Sequence, residues 1–294
     1  MLTRVTNQTL MMSAQRNLAV NKTDLARLQD QAADLKAIRR PSDNPSGTVA
    51  ALQVRGQQAA TAQYERNIEN GRGWLTTIDS ALSNATDILR RVKDLTLQGS
   101  NDTLSPAGRE GLAAELEGLG KDLLEQANTS FMGRNVFAGN SDTDTAFTKT
   151  ATMVFHGTDS PVTRRVADGT TVRVDADGAA VFGAGPGNAF ELIDTIVKDL
   201  RFGANPSDKL AAIDQRIKTV LTQHAEVGAR DAQIQRAQEV NMQQQGALEA
   251  RRADIEEVDM GKAFLELQLQ QTNYSAALAV TAKVLPQSLM DFLR

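Results

Sequence analysis

The run RRPSDNPSG, Arg39–Gly47, separates two long stretches that both carry a helical pattern. Pro41 and Pro45 each lack a backbone donor and fix φ, so neither belongs inside a helix. Ser42, Asp43 and Asn44 are side chains that satisfy free N–H groups at a helix start, and Pro45 suits the first helical position. The spacing predicts a helix that stops near Arg40 and another that restarts at Pro45. Two helical segments of different fate meet there.

Upstream, Ala14, Leu18, Leu25, Leu28, Ala32 and Leu35 fall at alternating steps of four and three, with Asn21 filling one position. That is a heptad stripe along one helix. Downstream, Leu75, Ile78, Leu82, Ala85, Leu89 and Val92 repeat the same steps before Gly99 and Asn101 end the segment. Ser105-Pro106 opens a third helix with Leu112, Leu116, Leu119 and Leu123 on one face. From Gly133 to Gly187 the helical period vanishes. There Asp168-Gly169 and Asp177-Gly178 separate short β-branched runs, which predicts two hairpin turns in a small antiparallel β unit. Helix returns with Phe190, Ile193, Val197 and Leu200, stops at FGANP and restarts at Pro206. Ile213, Val220, Val227, Ile234, Asn241, Leu248 and Ile255 then form a seven-residue column in which the lone Asn241 can fix register. A last seam runs through Phe264, Leu267, Tyr274, Leu278 and Leu285, interrupted at Gln271 and Thr281, and Pro286 is expected to end it. The fold class is mainly α: an elongated helical bundle or coiled coil formed by both chain ends, with a small inserted β domain.

Composition narrows the function classes. Aromatic content is only 4% of 294 residues, which suits elongated helices better than a thick core. A net charge of −4 argues against nucleic acid as a partner. No run approaches the length of a membrane span, so no membrane insertion is expected, and MLTRVTNQTLMM lacks the plan of a cleaved signal peptide. With no cysteine, disulfides, thiolate metal sites and a cysteine nucleophile are excluded. His156 and His224 have no partner motif, and His224 reads as a packed seam residue. GAGPGNAF lacks the third glycine of a dinucleotide fingerprint, and DADG lacks the later ligands of a calcium loop. No catalytic residue, cofactor or metal is expected.

The residues SAQRNLAVNKTDLARLQDQAADLKAIRRPSDNPSG resemble the N-terminal segment of bacterial flagellin-like proteins, and NYSAALAVTAKVLPQSLMDFL is similar to their shared C-terminal end. RRPSDNP together with FMGRNVFAGNSDTDTAF resembles the hook-associated junction branch of that superfamily. The resemblance implies a structural protein exported through the flagellar type III apparatus with an export chaperone, without a cleaved signal. It implies a ring of about eleven copies between the first hook-associated junction protein and flagellin, at the extracellular hook–filament junction. The implied division is 1–40 with 255–294 as an inner, channel-lining helical domain, 41–132 with 187–254 as a helical bundle, and 133–186 as an outer β domain. Arg40, Pro41, Ser42, Asp43, Asn44 and Pro45 would then be the joint between the first two. Leu18, Leu25, Leu28, Leu35, Phe264, Leu267, Tyr274, Leu278 and Leu285 would form the assembly interface.

The charges agree with paired arms. Residues 1–40 carry seven basic and three acidic groups, and residues 255–294 carry three basic and five acidic groups. Opposite-sign helices with matching seams are suited to pair, within a chain or with neighbours. Two rival readings remain: a short flagellin that forms the filament itself, and a secreted coiled-coil adhesin or effector.

Overall fold

The computed structural model describes residues 7–292 other than Asp102 and Ala151, with side chains described between Met11 and Ala282. Helix α1 spans Asn7–Asp34, α2 Pro45–Gly99 and α3 Pro106–Ala127. Three hairpins follow: β1 (Ser130–Phe131) with β2 (Arg134–Asn135), β3 (Phe147–Lys149) with β4 (Met153–Phe155), and β5 (Thr163–Ala167) with β6 (Thr170–Arg173). Helices α4 (Gly178–Phe182), α5 (Ala189–Arg201), a 3₁₀ turn at Pro206–Lys209, α6 (Leu210–Glu256) and α7 (Met260–Phe292) complete the chain. The contacts gather into two compact units, Met1–Ala59 with Gln245–Arg294, and Ala60–Gln244.

In the second unit the predicted heptads make the core. Leu75, Ile78, Leu82, Ala85, Leu89 and Val92 of α2 are all buried, as are Ile213, Val220, Val227 and Ile234 of α6. Asn241 continues that column as a buried amide, donating to the Thr61 carbonyl at 3.1 Å. A buried amide with a partner is tolerated where an unpaired one would be costly, and it penalises slipped registers. Ser105 caps α3 by accepting from the Gly108 N–H, and Leu112, Leu116 and Leu123 are buried beneath it. His224 is not sealed in the seam: its Nε2 lies 2.6 Å from Asp79 Oδ1, with part of the ring open to solvent.

The β segments have no core of their own. Each sheet is a two-stranded hairpin, too thin to enclose side chains, so its apolar face must be covered by helices. Phe182 of α4 and Phe190 of α5 supply that cover for β3, their ring centroids 5.8 Å and 5.3 Å from that of Phe147, with Phe137 of the preceding loop in the same cluster. They belong to one cluster with the α2, α3 and α6 seams. The turn at Asp168-Gly169 is as predicted, with Gly169 at φ 68°.

Asp177-Gly178 is not a hairpin turn. The Asp177 carboxylate accepts from the Ala179 and Ala180 N–H groups and so caps α4. An aspartate before a glycine serves either geometry, and the residues after it, Ala-Ala-Val-Phe, continue as helix. Asp175, two residues earlier, is fully buried; it accepts from the Val162 N–H at 2.8 Å and from both Arg173 nitrogens at 2.9 Å. That carboxylate fixes β5–β6, and the bond holds the Arg173 guanidinium above its usual pKa, against the opposing effect of burial.

Two helix ends differ from the sequence reading. Helix α1 stops at Asp34, six positions short of Arg40, because Leu35 takes a left-handed φ of 55°. Such a residue is a common helix terminator, although glycine usually fills it. Helix α7 passes through Pro286 to Phe292. Proline removes one backbone donor and its hydrogen bond, and a helix of 33 residues absorbs that local loss rather than ending there.

Candidate assembly interface

The break between α1 and α2 is built as its sequence suggests. Asp43 Oδ2 accepts from the Arg40 N–H at 2.8 Å and the Arg39 N–H at 3.3 Å, closing a tight turn around Pro41 and Ser42. Asn44 Oδ1 accepts from the Gly47 N–H at 2.9 Å and caps α2, whose first residue is Pro45. Arg39 reaches back to Asp30 and Asp34 at 2.7 Å each, adding a cation where the α1 dipole is negative. The break lies inside the first compact unit.

A feature absent from the sequence reading ties this break to the other one. Lys36 and Glu257 form an antiparallel bridge, with the Ala37 N–H donating to the Glu256 carbonyl at 2.7 Å and the Val258 N–H to the Leu35 carbonyl at 3.2 Å. The gap between α6 and α7 therefore faces the gap after α1. The Glu256 side chain is mostly buried and lies 2.8 Å from Arg55, and its hydrogen bond and charge raise the Arg55 pKa.

Helices α1 and α7 pack along each other. On α1 the covered stripe is Ala14, Leu18, Asn21, Leu25, Leu28 and Ala32, as predicted, with Leu28 the most deeply buried at 9% exposure. On α7 the covered stripe is Ala263, Leu267, Gln270, Tyr274, Ala277 and Thr281, again at steps of four and three. Gln270 Nε2 donates to the Asn21 carbonyl at 3.3 Å across the pair. Leu267 and Tyr274 thus lie in this seam.

Phe264 and Leu278 do not. They stand one position off the stripe and are 66% and 44% exposed. At those levels the small Ala263 and Ala277 fill the seam, and Phe264 and Leu278, one position further along the helix, are turned about 100° away from it. Leu35 is also outside the seam, beyond the end of α1, and the Leu285 side chain lies outside the described residues.

Outward of the seam, α7 carries Met260, Phe264, Leu265, Leu269, Leu278 and Val280 as exposed apolar side chains. Met12 and Val20 do the same on α1. Among the described residues, eleven of the eighteen large apolar side chains left exposed fall in the first unit, although it is the smaller one. Single exposed leucines are ordinary, whereas a concentration of them on one helix pair has the character of an interaction surface. The sequence signal for it was present as Leu265, Leu269 and Val280, which follow their own helical steps beside the seam.

Two family models match the chain. Residues 5–142 match the bacterial flagellin N-terminal helical region, and residues 210–293 match the bacterial flagellin C-terminal helical region. The chain belongs to the bacterial flagellin family. Within that family it is 24% identical to flagellar hook-associated protein 3 of Salmonella typhimurium, over 93% of this chain and 94% of the relative. It is 25% identical to the flagellar filament 33 kDa core protein of Treponema phagedenis, over 96% and 97%. Its fold is similar to the crystal structure of flagellar hook-associated protein-3 from Legionella pneumophila, with a TM-score of 0.62 and 16% identity over 67% of this chain and 96% of that one. The flagellin-family models cover both terminal helices and the break between α1 and α2, and leave the stretch from 143 to 209 unmatched.

Proposed function

We propose that the chain is a structural component of the flagellum that forms the junction between hook and filament. The observation that carries this reading is the outward apolar face of α7, left uncovered after α7 has already paired with α1. A protein working alone has no use for such a face, whereas a subunit of a ring covers it with its neighbours. The likeness to hook-associated protein 3 over nearly the whole length supports the junction role, and because a filament core protein matches over a similar length the two roles are separated by experiment.

In this reading the terminal pair, residues 1–40 with 255–294, lines the axial channel, and the break at Arg40–Pro45 lets the chain leave it. Copies of the chain are its first partners, about eleven to a ring as the family resemblance implies. The first hook-associated protein below and flagellin above are the next. Export proceeds unfolded through the flagellar type III apparatus with a chaperone and no cleaved signal, and the role is structural rather than enzymatic. Deletion of the gene is the test. Cells with hooks but no filaments, shedding flagellin into the medium, support the junction role. Purified chain that extends into long filaments unaided instead favours the flagellin reading, which the Treponema relative represents.

A further inference from the structure

We propose that Arg134 and Arg164, held beside Asn70, form a docking point for a carboxylate of a second copy of this chain, a contact that rests on the chain being a ring subunit and belongs to its second unit. Asn70 of α2 is gripped by two hairpins. Its Oδ1 accepts from Arg164 Nε of β5 at 2.8 Å, and its Nδ2 donates to Met132 Sδ in the β1–β2 turn at 3.4 Å. Arg134 follows Met132 by two residues and lies near enough to Arg164 for the two like charges to interact. Burial pushes the Arg164 guanidinium below its usual pKa, and the charge of Arg134 pushes it the same way.

Among the described residues neither arginine has a counter-charge. Arg134 donates to Asn140 Oδ1 at 3.1 Å and Arg164 to the Thr163 carbonyl at 3.1 Å, while the Arg164 guanidinium stands 5.9 Å over the Trp74 ring. Asp168 is taken by Arg165 at 2.6 Å, and Glu69 is exposed, about 100° round the helix from Asn70. Two half-buried guanidinium groups side by side carry desolvation and repulsion that a shared anion offsets. The shortage is local. Residues 60–244 hold 25 acidic and 19 basic groups, so the unit is rich in carboxylates yet gives none to this pair, and a second copy presents the same excess. An arginine fork grips a carboxylate through two parallel bonds. Met132 adds an apolar anchor: it is 79% exposed in a two-residue turn, at φ 51°, where asparagine is the usual occupant. Arginine and methionine are both enriched in contacts between chains.

A photocrosslinking residue at Met132, carried by the full chain in a strain lacking the native gene, tests this. Assembled flagella should yield a dimer of the chain, linked through a peptide from 60–244. A link to a different flagellar protein, or no link from assembled flagella, overturns the proposal. Asn70→Asp, in the chain without the probe, supplies the missing charge from within. Its monomer should unfold at the same temperature as the parent or a higher one. The share of hooks that carry filaments should nevertheless fall at least about tenfold, as expected for the loss of one charge-assisted contact. Arg134→Gln should lower that share to a similar extent. A parent-like share in either variant, or an Asn70→Asp monomer that melts earlier, overturns the contact. Gene deletion tests the ring-subunit role separately, so a wrong contact and a wrong role give different results.

Discussion

Replacing Leu265 with Glu and Leu269 with Lys should abolish assembly while leaving the monomer intact. Full burial of a leucine side chain is worth about 1.5–3 kcal/mol. The two are 67% and 65% exposed in the free chain, so covering them recovers roughly two thirds of that, about 2–4 kcal/mol for the pair in every copy. The charged replacements forfeit this and must also be stripped of water if a neighbour covers them, a further penalty of several kcal/mol. In the monomer both groups stay wet. Glu and Lys are good helix formers, and a Glu four residues before a Lys is a favourable pair, so stability should move by no more than about 0.5 kcal/mol. Leu28→Ala is the contrasting variant. Leu28 is buried between α1 and α7, and its loss should cost about 2–5 kcal/mol and loosen the helix pair. The assay is complementation of a deletion strain, scored by filament counts in electron micrographs and flagellin in the medium, alongside thermal unfolding of each monomer. Normal filaments in the double variant would refute the outward face as an assembly surface. A drop in monomer stability as large as that of Leu28→Ala would show that the face is not free.

Asp175→Asn should destabilise the second unit by about 1.5–3 kcal/mol, because it weakens the charged hydrogen bonds to the partly exposed Arg173 guanidinium; chemical denaturation with a probe at Trp74 checks it. Asn44→Ala should cost about 1 kcal/mol through loss of the α2 cap, read by denaturation of the full chain, and Asn44→Ser should restore most of it.

How much was legible in the sequence depended on what filled the seams. The α2 and α6 heptads could be read because branched or bulky apolar residues recur along them, at every step but Ala85 from Leu75 to Val92 and every seventh residue from Ile213 to Ile234. The α7 seam was misread for the converse reason. Leu267, Tyr274 and Thr281 were placed in it correctly, but Ala263, Gln270 and Ala277 were passed over by a search for large apolar residues in favour of Phe264 and Leu278, which are turned outward. Local chemistry was readable where one geometry suits the residues, as at Asn44-Pro45 and Asp168-Gly169. It was ambiguous where two do, as at Asp177-Gly178. The Lys36–Glu257 bridge left no local signal, because backbone pairing between distant segments is set by the packing around it.

The seam between α1 and α7 also governs when the first unit can form. Asn21 and Gln270 are 249 positions apart and Gln58 and Glu249 are 191 apart, yet each pair shares a hydrogen bond. Contacts of such separation form late, since loop-closure entropy must be met before they reward the chain. During synthesis the α1 segment emerges some 249 residues before its partner, so through that interval α1 has nothing to fold against. The second unit, whose segments are contiguous in sequence, faces no such delay. Folding of the two halves is therefore separated in time by the order of the chain itself, and the half with the sticky face closes last.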